Sequence, residues 1–202
     1  MVSESFDLVK LGDSLHGGHV RAVKGGIGFQ RMPDAMAAFF ERTDMERIRK
    51  RTSAGMRLVF RSNTSNIHAH FRFGLHSRKA FVIETIVEGI SHITDFSEGD
   101  GTGEGILWQS GNSEKKEREF SIWLPVYAET EILEWAFSPG ASFEPVAAES
   151  PRWLAIGDSI TQGMSSTAPS RSWAAQLSQL KKLDLWNFGV GGAIAEPELA
   201  TF

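Results

Sequence analysis

The chain has 202 residues, of which 41% are hydrophobic and 23% charged, a composition typical of a globular protein. Its net charge of −4 provides no overall positive field, so we expect no nucleic-acid partner. The absence of cysteine excludes disulfides and thiolate metal sites. No apolar stretch approaches the ~20 residues that span a membrane, and the start, MVSESFDLVK, lacks the features of a signal peptide. We therefore expect a cytoplasmic protein with no membrane partner.

The first 148 residues carry the pattern of a β-rich domain. Residues 1–30 are broken by glycines, which suits turns between short strands. Residues 33–53 predict one helix, and its basic run ERIRKR (46–51) predicts a solvated helix face. Strands separated by turns then follow at 56–63, 66–74, 80–89, 118–125 and 130–138. This rhythm predicts an antiparallel β-sandwich of jelly-roll type over residues 1–148.

Three features of this β-rich part could carry a ligand. His68 and His70 share one face of a strand, but a catalytic zinc needs three protein ligands, so we expect solvent-facing histidines and no metal. The loop SEGDGTGEG (97–105) is acidic and no helix follows it, which favours a hairpin loop over a phosphate site. Of the six tryptophans, only Trp108, beside that loop, is a candidate for the surface.

After a proline-rich connector (138–153) the pattern changes to that of an α/β protein. RWLAI (152–156) reads as a strand of a parallel sheet. The segment 170–183 predicts a helix with Trp173, Leu177 and Leu180 on its buried face, and 184–192 predicts a second strand that ends in glycines. Together these elements predict a strand–helix–strand unit within a second domain, 149–202.

The letters Gly-Asp-Ser followed by an aliphatic residue occur twice, at Ser14 and at Ser159. Ser159 follows a buried strand directly and precedes a helix, which is where reactive groups gather in open α/β sheets. Ser14 has no helix after it and is expected in a turn between strands, where such residues serve conformation. The same stretch spells Asp13-x-x-His16, an acid-plus-base pattern, but the turn reading is preferred.

The Ser159 turn has the composition that acyl transfer requires. Gly157 and Gly163 let the backbone bend tightly, so the N–H of Ser159 can face the side of its own hydroxyl. If the two predicted strands are neighbours, the N–H of Gly192 comes close to Ser159. Two backbone donors that face one developing oxyanion form the geometry that stabilises acyl transfer, and each is worth ~3 kcal/mol of barrier.

The segments IGDSITQG and NFGVGG resemble the first two sequence blocks of the SGNH (GDSL-type) hydrolases. The β-rich part resembles the N-terminal sandwich of a subset of that family that includes carbohydrate esterases. The resemblance implies a flavodoxin-like α/β domain and a serine esterase. It implies Ser159 as nucleophile and oxyanion donor, Gly192 as a second oxyanion donor and Asp158 as the residue that shapes the turn. It implies no cofactor.

Two expected partners are missing from the matching region. The family supplies its base from a C-terminal Asp-x-x-His and a further oxyanion donor from Gly-x-Asn-Asp, and neither follows Gly192. All six histidines lie between positions 16 and 92. We therefore expect a truncated esterase, inactive as it stands, for a carbohydrate or small ester. The alternative is a non-catalytic sandwich that binds glycans or a partner. The sequence leaves the substrate, the choice between hydrolysis and acyl transfer, and the oligomeric state open.

Overall fold

The computed structural model describes residues 3–111, 115–148 and 150–194. Within these ranges the first part of the chain forms twelve strands and three short helices. The strands are β1 (Glu4–Ser5), β2 (Leu15–His16), β3 (His19–Val23), β4 (Gly26–Gln30), β5 (Arg57–Ser62), β6 (Asn66–His76), β7 (Val82–Val87), β8 (Ile90–Asp95), β9 (Thr102–Gln109), β10 (Arg118–Trp123), β11 (Ala128–Phe137) and β12 (Glu144–Pro145). The helices are α1 (Leu8–Gly12), α2 (Asp34–Ala37) and α3 (Asp44–Arg49).

These strands form two six-stranded antiparallel sheets. The first has the order β3-β4-β11-β6-β9 with β1 beside β11, and the second has β12-β5-β10-β7-β8 with β2 beside β5. In β6 the predicted alternation is present, because Ile67, Ala69 and Phe71 are buried while His68 and His70 are half-buried. The prediction of a mostly β domain is confirmed, and the jelly-roll topology stays a prediction.

One aromatic core lies between the two sheets. Phe60 of the second sheet stacks on Phe120 at 5.4 Å between ring centroids and meets the edge of Trp135, from the first sheet, at 6.3 Å. Phe73 and Phe81 also stack across the sheets, at 4.6 Å. We call this part of the molecule, the two sheets with α1 to α3, the sandwich.

Several local expectations for the sandwich were wrong. The segment 97–105 is not a hairpin loop, because β8 belongs to the second sheet and β9, which begins at Thr102, belongs to the first. Trp108 is 7% exposed and lies under the guanidinium of Arg118, so it is a core residue. The expected helix over 33–53 is split in two at Thr43, whose extended backbone (φ −130°) and hydroxyl cap the second helix by accepting a hydrogen bond from Glu46 N at 3.1 Å.

The basic run at 46–51 is also less solvated than expected. Glu46 and Lys50 are buried, and Lys50 Nζ forms an ion pair with Glu41 and donates to Ala37 O at 2.9 Å. Lys50 thus connects the end of α3 to the end of α2 and to the segment between the two helices.

The second part of the chain forms the predicted strand–helix–strand arrangement. Strand β13 (Arg152–Gly157) pairs in parallel with β14 (Asp184–Gly189), in a register that places Gly157 opposite Gly189. Helix α4 (Ser159–Gln162), a 3₁₀ turn (Pro169–Arg171) and helix α5 (Trp173–Lys181) lie between the two strands. We call residues 152–189 the βαβ unit.

The side of helix α5 that faces the core is opposite to the side that the sequence predicted. Its buried residues are Ala174, Ala175 and Ser178, whereas Trp173 is 43% exposed and Leu180 is 77% exposed. The small side chains of Ala174, Ala175 and Ser178 let the helix pack closely on the strands. This close packing is favoured over burial of the larger apolar side chains on the other side of the helix. The prediction of Trp173, Leu177 and Leu180 as the buried face was therefore wrong.

The βαβ unit packs directly against the sandwich at two clusters. In one, α2 and the preceding chain contact β14. In the other, Trp123 of β10 contacts β13, α5 and β14. Next to the first cluster, Leu154 and Ile156 of β13 are 41% and 45% exposed and line a hollow of about 390 Å³ together with Trp186 and Phe188. The clusters comprise Met32, Met36, Phe40, Trp186, Phe188 and Val190, and Trp123, Ala155, Ala174, Ala175 and Leu185.

The described residues contain neither a candidate membrane span nor a candidate metal site. No helix among them has the length and apolar character needed to cross a membrane. Within the same residues, no group of three or more histidine, aspartate or glutamate side chains is arranged to hold a metal ion.

Candidate active site

Ser159 lies at the carboxyl end of β13, as predicted. The strand ends at Gly157, and Asp158 caps the helix that follows by accepting a hydrogen bond from Ile160 N at 2.9 Å through its side chain. Ser159 is the first residue of α4 and is half-buried. Gln162 N donates to Asp158 O at 2.9 Å. The helix ends at Gly163, whose φ of 91° is readily adopted only by glycine.

The second predicted turn follows β14 at the same end of the sheet. Val190 N donates to Gly157 O at 2.9 Å, and Gly191 N donates to the side-chain oxygen of Gln162 at 2.8 Å. Gly192 is exposed and has a φ of 84°. Gln162 therefore joins the two turns, because its backbone N–H is bonded in the first turn and its side chain in the second.

The glycine at the end of β14 lets α4 pack on the strand. A Cβ at Gly189 would overlap the backbone nitrogen of Gln162. Asn187, buried two residues earlier, donates from Nδ2 to Thr161 O at 2.8 Å and accepts from Gly189 N at 2.9 Å. The two turns are thus held against each other at the level of the backbone.

Residues of the sandwich hold Gln162 and Asn187 in place through hydrogen bonds. The Gln162 amide donates to Thr52 Oγ1 at 3.0 Å and to Val126 O at 3.3 Å. Arg31, which is almost completely buried, donates to Asn187 O at 2.6 Å, to Thr52 O at 3.0 Å and to Arg49 O at 2.7 Å. Burial lowers the pKa of Arg31 from its ordinary value to about 9.

Sequence reasoning missed this support. Gln162 and Asn187 stand in the quoted motifs, and a polar residue within the buried run DLWNFG is a signal that could have identified Asn187. Arg31 and Arg49 carry no comparable local signal, since each acts on residues more than 100 positions away.

The other Gly-Asp-Ser serine is part of the core, in keeping with the preference for Ser159. Ser14 is fully buried and its hydroxyl donates to Leu11 O at 2.6 Å. Ser14 follows helix α1 and precedes β2. The expectation of a turn between two strands was therefore wrong about the element before the serine. In the Asp13-x-x-His16 pattern, Asp13 caps the end of α1 and the Nε2 atom of His16 is hydrogen-bonded to Val146 O at 2.8 Å.

The remaining histidines are placed within the sandwich. His19 meets the edge of the Trp186 ring at 4.8 Å between centroids, and His76 hydrogen-bonds to Gly74 O at 3.0 Å. His68 Nε2 lies 3.6 Å from a carboxylate oxygen of Glu104. Among the described residues, no histidine is hydrogen-bonded to Ser159. The structure thus brings a serine hydroxyl and two glycine-rich turns to one end of a parallel strand pair, without a base bonded to the serine.

The chain matches no protein-family model and no curated protein. It is similar to several solved structures. A salicylyl-acyltransferase from a tetracycline biosynthetic pathway matches with a TM-score of 0.78 and 19% identity over 94% of this chain and 54% of that one. A protein described as a GDSL-like lipase from Bacteroides ovatus matches with a TM-score of 0.70 and 20% identity over 95% and 58%. An acetyl xylan esterase from Butyrivibrio proteoclasticus matches at 0.62 and 13% over 95% and 50%.

The resemblance predicted from the two sequence motifs is confirmed at the level of the fold. Structures that share the fold include GDSL-like and carbohydrate esterases and an acyltransferase. One of them, a family-two carbohydrate esterase from Clostridium thermocellum, is in complex with cellohexaose. The present chain spans about half the length of the structures that it matches.

Proposed function

We propose that the chain is part of a serine ester hydrolase of the SGNH type, with Ser159 as nucleophile. The observation that carries the proposal is the pair of turns at the carboxyl ends of adjacent parallel strands, joined through Gln162. In this proposal the N–H groups of Ser159 and Gly192 stabilise the oxyanion, and Asp158 shapes the turn. The sandwich comprises residues 1–148 and the hydrolase portion residues 149–202.

The reaction begins when Ser159 Oγ attacks the carbonyl carbon of the ester. The serine proton passes to a base and negative charge develops on the carbonyl oxygen. The bond to the alcohol then breaks as the protonated base returns the proton to the leaving oxygen, which leaves an acylated serine. Water releases the acyl group in a second step of the same kind. The two backbone N–H groups act at the developing oxyanion, where each donor contributes ~3 kcal/mol.

The base is the missing component of this scheme. By resemblance it is the histidine of an Asp-x-x-His motif, and the last histidine of the present sequence is His92, within the sandwich. We therefore expect the 202-residue chain to have a negligible rate of ester turnover by itself. An external base can replace the missing histidine for the first step.

For the substrate we propose an acyl ester, with acetyl the first choice, on a carbohydrate or another small alcohol. Support comes from the acetyl xylan esterase and the cellohexaose-bound esterase that share the fold. The salicylyl-acyltransferase supports an acyl group larger than acetyl and transfer to an acceptor other than water as a variant of the same chemistry. No cofactor enters the scheme.

The test uses p-nitrophenyl acetate with imidazole as the external base. We expect mass spectrometry to find one added acetyl group, located on Ser159, and no acetylation at this site in Ser159→Ala. Ser165→Ala is the matched control, because Ser165 is exposed, lies six positions further along and donates from its backbone N–H to Tyr127 Oη at 2.6 Å. Gly192→Ala, strained at its positive φ, should slow the acetylation by roughly 10²-fold.

Two results would contradict the proposal. Acetylation spread over exposed serines at rates unaffected by Ser159→Ala would show that Ser159 has no special reactivity. Tight binding of an oligosaccharide by a chain that is never acetylated at Ser159 would instead support the alternative, a sandwich that acts as a binding module.

A further inference from the structure

We propose that Arg49, the last residue of α3 in the sandwich, positions the oxyanion donor of Gly192; the inference rests on the proposed function. Its Nη1 atom donates a hydrogen bond to the carbonyl oxygen of Gly191 at 2.8 Å. This contact joins residues 142 positions apart and links the sandwich directly to the candidate site.

The importance of the contact follows from peptide geometry. The carbonyl of Gly191 and the N–H of Gly192 belong to the same peptide group, and in a trans peptide they point in opposite directions. A donor that fixes the carbonyl on one side therefore fixes the direction of the N–H on the other side. Arg49 contacts one end of the group whose other end is the proposed oxyanion donor.

The turn is closed by Ala193 N, which donates to Val190 O at 2.9 Å, but both of its central residues are glycines, so the peptide between them needs an anchor of its own. Glycine has the greatest backbone freedom of all residues, so an unsupported Gly191-Gly192 peptide would sample several orientations. Gln162 holds the N–H of Gly191 at 2.8 Å, and Arg49 holds its carbonyl at 2.8 Å. Both polar groups of this residue are thus fixed by side chains.

Arg49 is itself held in place. Its own carbonyl accepts hydrogen bonds from Arg31 Nη2 at 2.7 Å and from Thr52 Oγ1 at 3.0 Å. Its side chain lies against the turn, since a Cβ at Gly191 would come 3.1 Å from Arg49 Cδ and one at Gly192 3.3 Å from Nη1. At Gly191 the nearest atom to such a Cβ is Met164 Sδ, at 2.5 Å, so the Met164 and Arg49 side chains both lie against this turn.

The charge of Arg49 adds a second effect. Among the ion pairs of the described residues, none includes Arg49, so its positive charge is not neutralised by a bonded carboxylate. A cationic donor on the carbonyl polarises the peptide and makes its N–H a stronger donor. Position and polarisation both favour an oxyanion at Gly192.

The experiment compares Arg49→Met with Arg47→Met in the 202-residue chain. Arg47 is the matched control, because it lies on the same helix and carries the same charge but its side chain is exposed and pairs with Asp44. The first measurement is the rate of imidazole-dependent acetylation of Ser159. We expect Arg49→Met to slow it at least about tenfold, a part of the ~10²–10³ that the loss of a whole oxyanion donor costs, and Arg47→Met to leave it unchanged.

The second measurement does not depend on reactivity. In ¹H–¹⁵N spectra we expect the Gly192 amide nitrogen to move upfield in Arg49→Met, because its peptide carbonyl has lost a charged donor, while Gly189 stays in place. Arg49→Lys should restore part of the shift and of the rate. If Arg49→Met fails to fold, Arg49→Lys and the direct detection of the coupling between Arg49 Nη1 and the Gly191 carbonyl carbon decide the matter.

The outcomes separate the two proposals. Acetylation at equal rates in Arg49→Met and Arg47→Met, with an unmoved Gly192 resonance, overturns the role of Arg49 and leaves the esterase proposal standing. Absence of Ser159 acetylation in the unmodified chain overturns the esterase proposal and, with it, the positioning role, even where the Gly192 resonance shift confirms that Arg49 holds the peptide.

Discussion

The sandwich and the βαβ unit bury their cores in different ways. The sandwich encloses an aromatic core between two six-stranded sheets of its own. The βαβ unit has a two-stranded sheet, and its apolar side chains are buried by packing against α2 and Trp123 of the sandwich. A two-stranded sheet alone is marginal in water. The candidate site therefore lies on the region that is less stable by itself and is held in place by contacts with the sandwich.

The largest effect is expected from a cavity in the sandwich core. Phe60 is fully buried among aromatic rings from both sheets. Phe60→Ala should lower the free energy of unfolding by about 3–5 kcal/mol, measured by urea denaturation. Ile90→Ala, at a site that is 60% exposed, should change it by less than about 0.5 kcal/mol. Equal effects of the two variants would show that the aromatic core does not dominate the stability of the sandwich.

A smaller and more local effect is expected at the connection between the regions. Arg31→Met leaves the carbonyls of Asn187, Thr52 and Arg49 without their guanidinium donor, which should cost about 3 kcal/mol. Because one of these carbonyls is in β14, hydrogen exchange should accelerate in β14 more than in β6. The difference in exchange rate between β14 and β6 measures how far the two regions open independently.

The control for this variant is Arg61→Met, which removes an exposed arginine paired with Glu119. It should leave exchange in both strands unchanged. If Arg31→Met accelerates exchange equally in β6 and β14, the two regions unfold as one unit and the comparison between them fails.

The smallest effect is expected at the ion pair that joins Glu41, in the connection between α2 and α3, to Lys50, the residue after α3. The hydrogen bond and charge of Lys50 lower the pKa of Glu41 below its usual 4.5. A carboxylate with a lowered folded-state pKa stabilises the fold above pH 4.5 and loses that contribution as the pH falls through the folded-state value. Glu41→Gln should therefore lower the Tm slightly at pH 7, and the difference should vanish in acid. A difference that persists at the lowest pH would assign the effect to packing instead.

The strands and the Ser159 turn were predictable because they are local patterns. Alternating side chains identify β6, and a buried strand followed by Gly-Asp-Ser identifies the turn after β13. The buried face of α5 was not predictable in this way, since helical spacing reveals an apolar stripe but not whether Ala174 and Ala175 offer a closer fit. The hairpin expected at 97–105 failed for a similar reason, because turn residues do not tell which sheet the next strand joins.

The support of the site was beyond sequence reasoning for a different reason. Arg49 lies in a basic run whose pattern is that of a solvated helix, and nothing near it in the chain shows that its guanidinium contacts Gly191. Arg31 follows β4 and its partner Asn187 lies 156 positions later. Contacts between residues so far apart in the sequence depend on how the two regions pack together, and no local sequence pattern indicates that packing.

The amide of Gln162 carries a practical consequence for protein engineering. Its donors reach Thr52 and Val126, while its oxygen accepts from Gly191, so one side chain of the Ser159 turn is shared with the sandwich. A chimera spliced at the proline-rich connector would sever this arrangement even though the cut falls between the two folds. Grafts that exchange either half must therefore transplant the hydroxyl at position 52 and the backbone around position 126 together with the serine motif.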